Sequence, residues 1–262
     1  MRLTTIGTGT AAPHPLRVQA GTLVEAGGQR VLVDCGSGVL WRMAQLGLDW
    51  SGITHVVLTH FHADHTADLV AFLTAWRYGQ VPPRAEPVTV VGPVGTAAFV
   101  ERLAATFAPA LASFVPGFEV IDRAPHEPLI LPGGVAIESC PVPHTPESVA
   151  WSFSHAGQRV TCSGDLGPSD SFADWAAGSD LLLLECSLPA VFDVPIHLTP
   201  EQCGEIAARA RPGALWLNHF YPPVESLDLE GIIGSRWSGP VVRATDGASV
   251  SLAPRNAPPI SG

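Results

Sequence analysis

The amino-acid sequence predicts a single domain of the α/β class. Its length of 262 residues is within the range of one large domain and requires no second one. Hydrophobic residues make up 46% of the chain and charged residues only 15%, which leaves ample material for a core. Short apolar runs of strand length alternate with segments in which apolar residues recur at helical spacing. We therefore expect residues 1–262 to fold as one domain of strands and helices.

The N-terminal part of the chain predicts strands joined by tight turns. In chain order we expect a strand over residues 3–6, a glycine-rich loop over 7–15, a hairpin with strands at 22–25 and 30–33, and a helix over 39–46. Gly27-Gly28 is a strong two-residue turn signal, and Gly47 is a typical helix stop. The loop lacks the third glycine of a dinucleotide-binding motif, so we expect it to line a site of another kind.

A cluster of metal-ligand residue types follows the apolar run at residues 56–58. The chain there has the pattern His60-x-His62-x-Asp64-His65. Zinc and similar divalent metals favour this mixture of nitrogen and oxygen ligands, and a carboxylate among imidazoles is typical of catalytic sites. A strand ending at His60 would place His60 and His62 on one side, with Asp64 and His65 where a helix begins. The spacing predicts two adjacent metal ions and disfavours the alternative, a polar turn that is merely rich in histidine.

The next helix is expected to begin near Thr66, because apolar residues recur at helical spacing from Leu69 to Trp76. Its N-terminus would face the metal ligands, and the partial positive charge there favours an anionic substrate. Further on we expect a proline-rich loop over 79–87, a buried strand over 88–91 and a helix over 96–107, whereas residues 109–116 predict no element.

Three later apolar runs also lead to residues that bind metals. They are residues 135–137 before His144, 160–164 before Asp165, and 215–218 before His219. Strand ends at one sheet edge converge in space even when they are distant in sequence. The repeated pattern therefore predicts His144, Asp165 and His219 as further ligands.

Two other residues have alternative interpretations. Asp34 either caps the helix over 39–46 or orients a metal-binding histidine. His197 lies in a loop before a capping box that predicts a helix over 199–209, and such a histidine is as often structural as functional. The remaining expected elements are a buried strand over 181–184, ending at Glu185, and a short strand after Arg243 followed by a frayed, proline-rich end.

Composition limits the partners. A formal net charge of −10 argues against a general nucleic-acid surface, so we expect no DNA partner. No apolar run approaches the roughly twenty residues of a membrane span, and the N-terminus reaches Gly7 before a signal-peptide core forms. The five cysteines are odd in number and widely spaced, which favours neither a disulfide framework nor a zinc ribbon. We expect a cytoplasmic protein without a membrane partner.

Taken together, these motifs resemble the metallo-β-lactamase-fold hydrolases, and within them the tRNase Z branch and its small phosphodiesterase relatives. The resemblance spans nearly the whole chain. It is carried by residues 7–13, Asp34-Cys35-Gly36, the histidine cluster, Pro143-His144, Ser163-Gly164-Asp165, His197-Leu198-Thr199 and His219-Phe220. It implies an αββα four-layer sandwich in which two mixed sheets pack face to face, with helices outside and metals at one edge.

The resemblance also implies a site with two divalent cations, most readily zinc, with manganese as an alternative. It implies that one metal is bound by His60, His62 and His144, the other by Asp64, His65 and His219, and both by Asp165. The implied reaction is phosphodiester hydrolysis by metal-bound hydroxide. Asp64 and His197 would be catalytic, the first as proton acceptor from water and the second as a charge-stabilising group or proton donor to the leaving oxygen.

Two departures from the family pattern affect the expected function. The family's His-Glu pair is replaced by Leu184-Glu185, so a proton relay through that histidine is expected to be absent. The interval between His144 and Asp165 is too short for the tRNA-gripping arm of bacterial tRNase Z. We therefore expect a small or cyclic phosphodiester as substrate. The resemblance also implies a homodimer. The alternatives are a tRNA 3′-processing endoribonuclease acting on an RNA 3′ end, an acyl hydrolase such as a lactonase, thioesterase or β-lactamase, and a non-catalytic binding module.

Overall fold

The computed structural model describes residues 1–82, 84–107, 118–192 and 194–252. Residues 109–116, for which the sequence predicts no element, lie outside the described residues, as does most of the proline-rich end. None of the helices in the described ranges is both long and apolar enough to cross a bilayer.

The described strands form two sheets and are numbered along the chain. The first sheet contains β1 (Arg2–Gly7), β2 (Gly21–Ala26), β3 (Gln29–Val33), β4 (His55–Val57), β5 (Val88–Pro93), β6 (Phe118–Arg123) and, at its other edge, β14 (Ser249–Ser251). The second contains β7 (Leu129–Leu131), β8 (Val135–Pro141), β9 (Val149–His155), β10 (Gln158–Cys162), β11 (Leu181–Glu185), β12 (Leu215–Asn218) and β13 (Val241–Arg243). Both sheets are mixed, because antiparallel pairs in each give way to parallel ones.

The α-helices flank these sheets. They are α1 (Val39–Gln45), α2 (Ala63–Thr66), α3 (Leu69–Tyr78), α4 (Thr96–Phe107), α5 (Asp170–Trp175), α6 (Pro200–Ala210) and α7 (Leu229–Gly234). Short 3₁₀ turns lie at Trp50–Gly52, Pro132–Gly134, Ala190–Phe192 and Pro222–Val224.

Three hydrophobic clusters define four layers. The central cluster joins the two sheets, with Val24 and Val57 from the first and Trp151 and Leu183 from the second. A second cluster packs α1, α3 and α4 on the outer face of the first sheet, and a third packs α5, α6 and α7 on the outer face of the second. The expected αββα sandwich of two mixed sheets is therefore confirmed.

Local turn and cap signals in the sequence are also confirmed. The hairpin of β2 and β3 turns at Gly27 and Gly28, whose φ angles of 54° and 77° are favourable only for glycine-like residues. Helix α6 begins with the predicted capping box, in which the Thr199 hydroxyl accepts from the Gln202 backbone while the Gln202 side chain accepts from the Thr199 backbone. Helix α4 has the predicted bounds.

Two predictions around the histidine cluster are wrong in their bounds. The strand expected to end at His60 ends at Val57, because the Thr59 backbone N–H donates to Asp34 and its carbonyl accepts from Val149 of the second sheet. The helix expected from Thr66 is preceded by the single turn α2, and α3 begins only at Leu69. His60 and His62 are therefore brought together by a loop and not by strand alternation.

Candidate metal centre

The candidate ligands converge from loops that follow four strands. His60, His62, Asp64 and His65 follow β4, whereas His144, Asp165 and His219 follow β8, β10 and β12. Since β4 belongs to the first sheet and the other strands to the second, both sheets contribute. The centre therefore lies where strand ends of the two sheets meet.

His60, His62 and His144 form the first group. One nitrogen from each lies within 4.8 Å of the others, and His62 Nδ1 is 3.1 Å from His144 Nε2. His60 is buried, whereas His62 is exposed. Three imidazoles at these separations are able to bind one cation on the side of the centre that is open to solvent.

Asp64, His65, Asp165 and His219 form the second group, and all four are buried. Asp165 Oδ1 lies 3.2 Å from His65 Nε2 and 3.3 Å from His219 Nε2, and Asp64 Oδ2 lies 3.5 Å from His219 Nε2. The other oxygen of Asp165, Oδ2, lies 3.8 Å from His144 Nε2 of the first group. Asp165 thus lies between the two groups, with one oxygen facing each.

The buried polar atoms of these groups fit divalent cations. His60 Nε2 and Asp165 Oδ1 are buried and have no hydrogen-bond partner among the described residues. Such atoms are costly to bury unless something else binds them. Burial, together with the nearby His65, lowers the pKa of His60 to about 2. Although burial opposes it, His219 and His65 hold the pKa of Asp165 well below its usual range. A neutral imidazole and an ionised carboxylate are the forms that bind metals.

Asp34 contacts His65 and Thr59 on the side of the ligand groups that faces away from the centre. It accepts a 2.7 Å bond from His65 Nδ1 and 2.8 Å bonds from the backbone N–H and the hydroxyl of Thr59. Because that hydroxyl donates to Asp34, it accepts from His60 Nδ1 at 3.0 Å. Helix α1 has Gly38 at its N-cap and no side-chain cap, so the capping alternative for Asp34 is wrong.

His219 and His144 are oriented in the same way. His219 Nδ1 lies 2.9 Å from the Ser187 hydroxyl, and His144 Nδ1 lies 2.9 Å from the Ile196 carbonyl. In each ring the bond to Nδ1 fixes the tautomer that leaves Nε2 free toward the centre. His219 also has a φ of 58°, an unfavourable backbone conformation that is often found at functional sites.

His197 is paired with Glu185. The two residues lie 3.0 Å apart between His197 Nδ1 and Glu185 Oε1, and Glu185 is fully buried at the end of β11. Glu185 also accepts from the Leu166 backbone at 2.6 Å and from the Ser187 hydroxyl. Although burial opposes it, Glu185 raises the pKa of His197. Leu184 precedes Glu185 in the chain, and the imidazole partner of Glu185 is His197 from another loop.

Several residues that contact the ligand histidines or His197 were not predicted from the sequence. Glu185 could have been recognised, since it is a charged residue that ends an otherwise apolar strand. Ser187 and Thr59 had none, because each acts through a hydrogen bond that only the folded chain makes. Tyr221 lies with its ring edge-on to His197 and His219, and burial together with Asp64 raises its pKa to about 12. His14, His55, His126 and His155 belong to none of the ligand groups found among the described residues.

The fold and this site define a class of protein, a metal-dependent hydrolase with the αββα sandwich. Residues 29–220 match the family described as a beta-lactamase superfamily domain. The ribonuclease Z of Mycobacterium bovis is 31% identical over 279 aligned positions, which cover 97% of this chain and 99% of that protein.

Solved structures show the same fold. The metallo-β-lactamase fold protein YhfI from Bacillus subtilis superposes with a TM-score of 0.83 at 25% identity, covering 95% of this chain and 98% of that one. Human tRNase Z, short form, superposes with a TM-score of 0.75 at 22% identity, covering 97% and 100%. The chain belongs to the β-lactamase superfamily and, within it, to the ribonuclease Z family.

Proposed function

We propose that this chain is a phosphodiesterase that uses two divalent cations to hydrolyse small or cyclic phosphodiesters. The observation that carries this proposal is the position of Asp165 between two ligand groups, beside the His197–Glu185 pair. Two metals beside a proton donor are suited to in-line displacement at phosphorus.

The proposed ligands are the two groups described above. His60, His62 and His144 would hold one cation, and Asp64, His65 and His219 the other, with Asp165 binding both. When bound, the cations lower the pKa of water from about 15.7 towards about 7 and offset the charge of the phosphate. Zinc suits this mixture of imidazole and carboxylate ligands, and manganese is the alternative.

Asp64 and His197 are the proposed proton carriers. Although burial opposes it, the hydrogen bond from His219 lowers the pKa of Asp64 to about 2, so the carboxylate is ionised and able to accept a proton from water. Glu185 occupies His197 Nδ1, which leaves Nε2 to donate to the leaving oxygen. As the new P–O bond forms and the bond to the leaving oxygen breaks, one proton passes to Asp64 and one leaves His197.

The size of the substrate is inferred from the β9–β10 hairpin. This hairpin fills the interval between His144 and Asp165, and it turns through Ala156-Gly157 directly between paired His155 and Gln158. No room remains there for an arm that grips tRNA. The whole chain contains no lysine, which further limits its grip on a polyanion.

A second candidate is tRNA 3′ processing. It is favoured by the ribonuclease Z of Mycobacterium bovis, which this chain matches over almost its whole length. The alignment runs over 279 positions, more than the 262 residues of this chain, so the relative contains residues that this chain lacks. We therefore rank RNA 3′ ends second as substrates.

We further propose one domain, a homodimer and a cytoplasmic location, with no DNA partner. An apolar groove between α1 and α3, about 330 Å³ in volume, is lined by Leu40, Trp41 and Trp50 and is a candidate surface for a second copy.

The five cysteines are buried and free, which suits a reducing compartment. The net charge of −10 disfavours DNA.

Two substitutions test the proposed mechanism. Asp165→Ala is expected to lose bound metal and activity, whereas His197→Ala is expected to keep its metal and lose turnover on bis(4-nitrophenyl) phosphate by about 10²–10⁴-fold. Metal content is measured by mass spectrometry and turnover by nitrophenol release. A His197→Ala protein as active as the wild type would remove the role assigned to His197.

A further inference from the structure

Tyr221 lies against the two histidines that bound one side of the metal centre. Its ring centroid is 5.9 Å from that of His197 and 5.9 Å from that of His219, with interplanar angles of 67° and 85°. It is half-buried. A molecule bound at the centre beside His197 would therefore contact Tyr221.

The position of Tyr221 is fixed by its backbone. Its N–H donates to the Ser187 carbonyl at 3.3 Å, and the 3₁₀ turn Pro222–Val224 follows directly. Two consecutive prolines restrict the chain at this point. The aromatic ring is thus carried on a rigid segment next to a metal-ligand candidate, which is the arrangement that positions a functional group.

Within the part of the chain that the structure describes, the Tyr221 hydroxyl makes no hydrogen bond. Buried carboxylates surround the centre, and the ion-pair partners of Asp64, Asp165 and Glu185 among the described residues are all histidines. No arginine between residues 1 and 252 forms a described ion pair with these carboxylates. The Tyr221 hydroxyl is therefore a neutral donor on a ring that packs against His197 and His219.

We propose that Tyr221 is a substrate-binding residue whose hydroxyl donates a hydrogen bond to a phosphate oxygen of a monoanionic diester, on the side of the leaving group. The assignment to that side follows from its contact with His197, the proposed proton donor. A neutral hydroxyl donates to a phosphate oxygen without changing the charge of the site. This inference rests on the phosphodiesterase function proposed above and adds a residue that binds the substrate.

Tyr221→Phe removes the hydroxyl and keeps the ring. Because a hydrogen bond to a charged group is lost, we expect kcat/KM for bis(4-nitrophenyl) phosphate and for a 2′,3′-cyclic nucleotide to fall about 10–100-fold. Metal content and Tm are expected to match the wild type. Tyr221→Ala, which also removes the ring, is expected to lose at least as much.

The chain offers a matched control, because its other tyrosine, Tyr78, is 66% exposed on α3. Tyr78→Phe is expected to leave kcat/KM unchanged. An active wild type with an equally active Tyr221→Phe variant would contradict the role of Tyr221 alone, as would loss of metal from that variant, which would indicate a structural role. A metal-loaded wild type that cleaves no diester would contradict the proposed function and this inference with it.

Discussion

Each candidate ligand histidine except His62 is held by an acceptor or hydroxyl on the nitrogen that faces away from the centre. Asp34 is hydrogen-bonded directly to His65 and, through the Thr59 hydroxyl, to His60, while the Ser187 hydroxyl contacts His219 Nδ1. Such outer contacts fix ring orientation and raise the basicity of the ligand nitrogen. The geometry of the ligand groups therefore depends on residues that belong to neither group.

Asp34→Asn tests this dependence. The amide keeps the size of the side chain and removes its charge, so we expect metal affinity to fall about 10–100-fold. The measurement is competition for zinc against a chromogenic chelator. Asp49→Asn, at an exposed side chain paired with Arg30, is the control and is expected to bind zinc as the wild type does. Unchanged affinity of Asp34→Asn would show that His65 needs no orienting carboxylate.

Glu185→Gln tests the pairing of Glu185 with His197. Glu185 raises the pKa of His197, and a proton donor works only below its pKa, so activity is lost as pH rises through that value. Removing the carboxylate charge is expected to move this alkaline limb to lower pH and to reduce turnover about 10–100-fold, with metal retained. The pH–rate profile is compared with that of Glu205→Gln, at a largely exposed position on α6. If the alkaline limb stayed at the same pH in Glu185→Gln, the limb would have to come from a group other than His197.

At the scale of single residues, the sequence predicts well which residues are metal-ligand candidates, and it predicts poorly which residues contact them. The spacing from His60 to His65 and the strand-end positions of Asp165 and His219 are enough to indicate a metal centre from the sequence alone. By contrast, the pairing of Glu185 with His197 joins two loops, and no local pattern encodes it.

At the scale of elements, local signals succeed where the physics is local. The glycine pair of the β2–β3 hairpin and the capping box of α6 are decided by a few neighbouring residues. The bounds of β4 are different, because Asp34 and Val149 divert the backbone at Thr59. Helices α5 and α7 and strands β6, β7, β9 and β13 were not predicted. The two helices have only six residues each, and β7 and β13 only three, which is too few to show a period.

Strand β4 carries a buried histidine whose titration affects stability. Burial lowers the pKa of His55 to about 4, and its Nδ1 lies 2.9 Å from the Thr54 hydroxyl. Between pH 4 and 6.5 the unfolded state binds more protons at His55 than the folded state does. The free energy of unfolding therefore falls as pH is lowered through this window.

His55→Gln removes that titration. When the pH is lowered from 7 to 5, we expect the free energy of unfolding of His55→Gln to fall by about 1–2 kcal/mol less than that of the wild type. Denaturant unfolding at both pH values gives the comparison. His126→Gln, at an exposed turn, controls for the loss of a histidine as such. Equal pH dependence of wild type and His55→Gln would indicate that the folded state accommodates the charge of His55.

At the scale of the whole molecule, the face-to-face packing of the sheets brings the strand ends of both to one centre. Strand patterns alone are compatible with this sandwich and do not establish it, because facing of the sheets depends on contacts distant in sequence. The four-layer arrangement was predicted through family resemblance. The tight β9–β10 turn and the absence of lysine are the two whole-molecule features on which the proposed preference for small diesters over tRNA rests.

The most direct measurement is the initial rate of the zinc- or manganese-loaded protein on three substrates, with Asp165→Ala as the blank. The substrates are a 2′,3′-cyclic nucleotide, a 3′-extended precursor tRNA and a lactone. We predict fast cleavage of the cyclic diester and no cleavage of the tRNA or the lactone above the blank. Site-specific cleavage of the tRNA with an inert cyclic diester would contradict this account.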